Sequence, residues 1–237
     1  MSALRVSLLI PCYNGAAYLA ESLTSALEQD RVPDEVIVID DGSTDDGGSI
    51  AAGFGPRVRC ARQDHLGISA ARNHGIALST GDVIAFLDAD DLWPAGSLSV
   101  RLSLLEDRPE LDCASGLIKQ FMSPELPDAI RRTLVCPEDV SRARAAGVTL
   151  ARRRVFDRIG RFDTSFRIGE TLDWIARADA AGVTNEVAEQ VVLLRRVHTA
   201  NTTWRLRDEK AEYLRVLKAS LDRRRAKAPA DSQPGKD

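Results

Sequence analysis

The sequence predicts an α/β protein with a Rossmann-like, mostly parallel central sheet flanked by helices. Short β-rich apolar runs at Val6–Ile10, Val36–Ile39 and Val83–Leu87 alternate with segments whose apolar residues recur at helical spacing. One of them, Val36-Ile37-Val38-Ile39, is an uninterrupted β-branched run, as expected of a strand covered on both faces. A length of 237 residues suffices for one large domain with a substantial core.

Taken in order, Val6–Ile10 is the first strand, ending at Pro11, and Leu19, Leu23, Ala26 and Leu27 mark the buried stripe of the first helix. The second strand ends in Asp40-Asp41-Gly42-Ser43, a turn by composition. A weaker strand covers Val58–Ala61, a helix Ser69–Leu78 and a strand Val83–Leu87, followed by a helix through Leu98, Leu102 and Leu105. Strands alternating with helices imply right-handed crossovers within a parallel sheet. From Cys113 the pattern loosens. Ser123–Pro137, with Pro124, Pro127 and Pro137, reads as a loop or lid, followed by a helix at Glu170–Ala181 and a strand at Val187–Leu194.

Leu206, Tyr213, Leu214, Leu217 and Leu221 form an apolar stripe on a C-terminal helix whose other positions include Arg205, Arg207, Lys210, Arg215, Lys218 and Arg223. The chain thus divides into a well-patterned half (1–112), a looser half of the same domain (113–204), a basic helix (205–225) and a disordered tail (226–237). The basic helix suits packing on the body, an anionic membrane surface or a homodimer contact.

A formal charge of −3 argues against a nucleic-acid partner. Cys12, Cys60, Cys113 and Cys136 show neither metal-finger nor redox spacing, so they read as reduced thiols. Nothing reads as a cleavable leader, and no apolar run approaches the ~20 residues of a membrane span. The expected location is cytoplasmic, at most peripheral at the inner face of the membrane.

In an open parallel sheet, ligands bind at the carboxyl ends of the strands. The first three clear strands deliver Pro11-Cys12-Tyr13-Asn14, then Asp40-Asp41-Gly42-Ser43-Thr44-Asp45, then Asp88-Ala89-Asp90-Asp91 to one crevice. Adjacent carboxylates repel unless a cation lies between them. Asp88 and Asp90 supply hard oxygen ligands suited to Mg²⁺ or Mn²⁺, which also bind diphosphate oxygens. The competing reading is an acidic turn that caps the following helix.

The blocks PCYN, VIVIDDGSTD, GISAARNHG and GDVIAFLDADD, in that order over roughly residues 5–95, resemble the nucleotide-binding half of the family 2 glycosyltransferases. The resemblance implies a GT-A fold, with residues 1–112 as the nucleotide-sugar-binding half and 113–204 as the acceptor side. It also implies inverting transfer from a nucleotide-diphospho-sugar, most often a UDP-sugar, assisted by Mn²⁺ or Mg²⁺. Pro11 and Tyr13 would lie at the nucleobase and Asp41 would accept a hydrogen bond from it. Arg72 would approach the diphosphate, Asp88 the ribose or metal, and Asp90 would be the main metal ligand. Arg195-Arg196-Val197-His198 resembles the family's Arg-x-His segment, which makes His198 a second metal or phosphate contact.

Gly169-Glu170-Thr171-Leu172-Asp173-Trp174, with Arg177, resembles the acceptor-side motif, in which an aspartate acts as general base. Here that position holds Thr171, whose hydroxyl cannot serve as a base near neutral pH. Asp173 is the first substitute and Glu170 the second. Against both stands a structural reading, in which Glu170 complements the helix N-terminus and Asp173 pairs with Arg177 at i, i+4. Trp174 and Trp204 are candidates for sugar contact or core packing. The acceptor is unidentified: a glycan end, lipid-linked sugar, peptide or small molecule. The alternatives are a sugar-nucleotide-binding protein without turnover and a sugar-phosphate nucleotidyltransferase. The latter would need a Gly-rich loop where PCYN stands.

Overall fold

The computed structural model describes residues 3–201, 214–219 and 222–223. In chain order the elements are β1 (Val6–Cys12), α1 (Ala16–Leu27), β2 (Glu35–Asp40), α2 (Gly47–Gly53), β3 (Arg59–Arg62), α3 (Ile68–Leu78), β4 (Val83–Phe86) and α4 (Ser97–Asp107). They continue with β5 (Cys113–Met122), α5 (Asp128–Arg131), β6 (Ser141–Arg142), β7 (Thr149–Arg152), α6 (Arg153–Ile159), α7 (Glu170–Ala180) and β8 (Asn185–Val197).

One sheet carries all eight strands in the order β3-β2-β1-β4-β7-β5-β6, with β8 on the other side of β5. The pairs β1–β2, β1–β4 and β2–β3 are parallel. β7 inserts antiparallel between β4 and β5, while β5 and β8 run parallel. Strand order reverses between β1 and β4, and such a switch point opens a crevice beyond the carboxyl ends of the two strands.

Alternation along β1 and β2 feeds two cores. Leu8, Ile10, Val36 and Val38 pack with Leu19, Leu23, Leu98 and Leu102 on one face. Leu9, Ile37 and Ile39 pack with Ala71, Phe86, Phe156, Phe162 and Trp174 on the other. Trp174 is therefore a core residue, and its Nε1 donates to the Gly160 carbonyl. Trp204 lies outside the described residues.

α1 starts at Gly15 with no cap from its own side chain. The Asp45 carboxylate instead accepts the Ala16 N–H at 2.8 Å, satisfying one of the orphan donors of the first turn from the loop after β2. A Cβ at residue 15 would meet Cys12 Sγ at 2.9 Å, so this close approach requires glycine. The segment read as a loop or lid between Ser123 and Pro137 contains α5. The Arg131 guanidinium ties it down by donating to the carbonyls of Ser123, Pro124 and Leu126.

The rim opposite the crevice is fastened by three consecutive arginines at the β7–α6 junction. Arg152 donates to the carbonyls of Leu105 and Leu111, and Arg153 to those of Gly81 and, through Ser79 Oγ, the end of α3. Arg154 and Arg158 both bond the Asp112 carboxylate, at 3.0 and 2.7 Å, which also accepts the Thr184 N–H. Burial alone would raise the Asp112 carboxyl, but Arg158, Thr184 and Arg154 outweigh it and hold the group below its usual 3.8. A carboxylate depressed on folding stabilises the protein above its unfolded pKa, and that contribution fades as pH falls through the folded value. Below about pH 4, the wild-type melting temperature should therefore fall more steeply than that of Asp112→Asn. Parallel slopes in pH-dependent thermal melts would rule this out.

The described C-terminal residues, 214–219 and 222–223, are helical. Of the expected apolar stripe, Leu214 and Leu217 are among the described residues. Val216 is buried, whereas Leu214 and Leu217 are exposed, because the helix docks through Val216, through Arg215 over Phe166 and through Arg223 on Asp173. Leu206, Tyr213, Leu221 and the 226–237 tail lie outside the described residues. No helix among the described residues is long and apolar enough to cross a membrane.

Candidate active site

The crevice holds three linked groups of side chains. At one end, Tyr13 follows β1 and is 45 % exposed. Its ring stacks on His65 with centroids 3.9 Å apart and planes 17° from parallel. Asp41, buried at the end of β2, organises the facing loop. It accepts from Gln63 Nε2 at 2.7 Å and from the N–H groups of Leu66 and Gly67 at 2.9 Å, and it lies 3.0 Å from His65 Nδ1. Gly42 has φ +77°, and a Cβ there would meet the His65 nitrogen at 2.9 Å, so the Asp41 turn and the loop interlock only with glycine at that position. Pro11 is buried within β1, in register with Ile39.

The middle group centres on Arg72 in α3, which is 3 % exposed. Its Nη2 bonds Asp88 at 3.0 Å, and its Nη1 bonds Glu170 at 2.6 Å and Thr171 Oγ1 at 3.1 Å. The guanidinium also lies 5.7 and 5.4 Å from the ring centroids of Phe86 and Phe162. Burial lowers its pKa, but Asp88 and Glu170 outweigh that and raise it. Sequence reasoning sends Arg72 to the diphosphate. In this structure its terminal nitrogens are committed to two carboxylates and a hydroxyl, so it first acts as a strut between the tip of β4 and the start of α7. A small, mostly apolar pocket of about 20 Å³ lies beside this group, lined by Phe86, Phe156, Phe162, Trp174, Thr149 and Thr171 among others.

At the far end, Asp90 meets His198 beyond β8, with Oδ2 2.9 Å from Nε2 and 3.0 Å from Asn201 Nδ2. Arg196 frames this pair. Its Nε donates to the Asp90 carbonyl, its N–H to Asp91, and its Nη2 to Glu21 at 2.5 Å, while its plane lies over Tyr18 and Phe121. Tyr18 also packs tilted against His198 and donates to Glu125. Burial, with Asp90 and Asp88 nearby, pushes Asp91 well above the usual carboxylate range.

Asp90 and His198 bring one oxygen and one nitrogen donor together. Among the described residues, no set of three or more His, Cys, Asp or Glu encloses a metal. An open pair of this kind fits Mn²⁺ or Mg²⁺ whose remaining positions go to phosphate oxygens and water, because such ions keep several non-protein ligands.

The chain thus places Tyr13, Asp41, Asp88 and Asp90 just beyond the ends of β1, β2 and β4, with Arg72 joining Asp88 to Glu170 and His198 meeting Asp90. It does not bring Asp173 to this group. That carboxylate is 1 % exposed, with Oδ2 on Arg177 Nε at 2.9 Å and Oδ1 on Arg223 at 2.6 Å. Asp173 points into the packing of α7 rather than toward an acceptor, a correction to its choice as base. The sequence reading passed over His65, Tyr18 and Asn201. His65 was legible only as a residue two positions before the GISAARN block, and nothing marked the other two.

A mostly parallel sheet with this strand order and these acidic strand tips has the GT-A fold. Residues 7–163 match the family described as Glycosyl transferase family 2, and the chain belongs to it. An uncharacterized glycosyltransferase of Rickettsia typhi, RT0329, is 29 % identical over 220 residues, covering 88 % of this chain and 69 % of its own. The succinoglycan biosynthesis protein ExoU of Rhizobium meliloti is 35 % identical over 198 residues, covering 75 % of this chain and 57 % of its own. The fold also matches the crystal structure of S. aureus TarS residues 1–349 in complex with UDP. There the TM-score is 0.69 at 18 % identity, covering 92 % of this chain and 64 % of that one.

Proposed function

We propose that the protein is an inverting, metal-assisted glycosyltransferase that takes a sugar from a nucleotide-diphospho-sugar, a UDP-sugar first among the candidates. The observation that carries this reading is that the ends of β1, β2 and β4 carry Tyr13, Asp41, Asp88 and Asp90, with His198 meeting Asp90 at 2.9 Å. Family membership supports it, as does the UDP held by the TarS structure of the same fold. Tyr13 offers a π-face to the base, and the loop that Asp41 holds in place forms the rest of the base site. Asp90 and His198 would hold Mn²⁺ or Mg²⁺, with Asp88 beside them. The ion would offset the negative charge that develops on the leaving diphosphate. The chain's own residues position the donor and place a carboxylate at the start of α7 toward the acceptor, and positioning and electrostatics are the larger share of such catalysis.

Thermal-shift measurements with UDP, GDP and dTDP, each with and without Mn²⁺, test the reading. Stabilisation by UDP that grows when Mn²⁺ is added is the expected result. A melting temperature that no nucleoside diphosphate moves would sink it. Thr171 at the usual base position favours a second reading, a sugar-nucleotide binder without turnover, which would show the same shift but release no UDP from a donor.

A further inference from the structure

The Asp41 carboxylate is buried and already carries four donors. Oδ1 accepts from Gln63 Nε2 at 2.7 Å and from the Leu66 N–H at 2.9 Å, while Oδ2 accepts from the Gly67 N–H at 2.9 Å and lies 3.0 Å from His65 Nδ1. Two of these donors are backbone groups of the loop. Gln63 is itself held, with its Oε1 2.9 Å from His74 Nδ1. Only the His65 donor sits on an exposed side chain, 55 % open, that can swing away without unmaking the loop. Its Nδ1 also lies 3.2 Å from the Asp41 carbonyl oxygen, so both partners are acceptors and Nδ1 carries the hydrogen. The same imidazole lies nearly flat on Tyr13, with centroids 3.9 Å apart, which leaves no space for a third ring between them.

We propose that His65 is a placeholder for the nucleobase. It covers the Tyr13 face and fills the last position on Asp41 Oδ2 until a base with a flat ring and a ring N–H displaces it. The proposal rests on the reading above that the donor's base lies at Tyr13. A uracil ring replaces both contacts at once, its face against Tyr13 and its N3–H on Oδ2, so the buried carboxylate keeps its full set of donors throughout the exchange. A base that makes only one of the two contacts displaces His65 without making good what it held. The form with His65 swung out is the binding-competent one, and its population scales the apparent affinity. His65 therefore acts on selectivity, as a threshold that favours bases able to make both contacts.

Calorimetric titration of the full chain with UDP in Mg²⁺, with histidine-ring NMR on the same samples, tests this. His65→Ala should bind UDP about tenfold more tightly than wild type, because a ring stack and a hydrogen bond to a carboxylate no longer have to be broken first. Inorganic diphosphate, which has no base, should bind both proteins equally. The chain has 3 histidines, so the His65 ring protons are identified by their loss in His65→Ala. In wild type they should start upfield, over the Tyr13 ring, and move downfield as UDP saturates the protein. UDP binding by His65→Ala that is no tighter than wild type overturns the proposal and leaves the transferase reading standing. So does an equal gain in diphosphate affinity. So does a His65 signal that stays in place, or that moves further upfield as it would with a base stacked on the outer face of the imidazole. Absence of UDP binding in both proteins removes the transferase reading, and this inference with it.

Discussion

Asp90→Ala is expected to slow UDP release from a UDP-sugar by about 10²–10³-fold, the usual cost of removing one electrostatic stabiliser. It is also expected to abolish the extra stabilisation that Mn²⁺ adds to bound UDP. Asp90 is the one carboxylate of the Asp88–Asp91 run that meets a second ligand-type side chain, His198, at 2.9 Å. Asp88 is paired with Arg72, and Asp91 is buried against the Arg196 N–H. The Asp90 side chain is 28 % exposed, so its loss should leave the ligand-free melting temperature nearly unchanged. That separates an effect on chemistry from one on folding. Full activity in Asp90→Ala, or a Mn²⁺ response equal to wild type, would remove Asp90 from the metal site.

Arg72→Met should be the most destabilising single change in the crevice. It leaves the largely buried Glu170 carboxylate without its cation, and breaking a buried pair by deleting one partner costs about 3–5 kcal/mol. For a chain of this size, that corresponds to a fall in melting temperature of about 10 °C. Arg72→Lys should recover only part of the loss. A single ammonium cannot span Asp88 and Glu170 with two separate nitrogens while also covering Phe86 and Phe162. Equal melting temperatures for the lysine and arginine proteins would show that charge alone suffices there.

Three of the parallel strands were readable because they are buried on both faces and so write a mostly apolar run, whereas β3, Arg59–Arg62, is largely exposed and left only a weak signal. β1, β2 and β4 fall within a residue or two of the runs at Val6, Val36 and Val83. β7 was invisible, because Thr149–Arg152 is four residues long and ends in the arginines that fasten its rim. β5 reads as irregular because its far end is only partly covered and its pairing with β8 slips register twice.

Within the site, Asp41, Asp88 and Asp90 were legible as strand tips. Arg72 was legible as a residue but not as a strut, since its partner Glu170 lies 98 positions away. Asp173 misled for a similar reason. Its pairing with Arg177 is a local i, i+4 contact that was weighed, but Arg223, fifty residues on, takes the second oxygen and closes the group to solvent.

The arginine-fastened rim has a consequence for how such a protein can diversify. Arg152, Arg153, Arg154 and Arg158 fasten backbone carbonyls and Asp112 on the side of the sheet away from the crevice, with no contact to any crevice side chain named above. The frame is therefore locked independently of cargo. Residues on the opposite side can change without loosening these ties, while the scaffold beneath them keeps its shape.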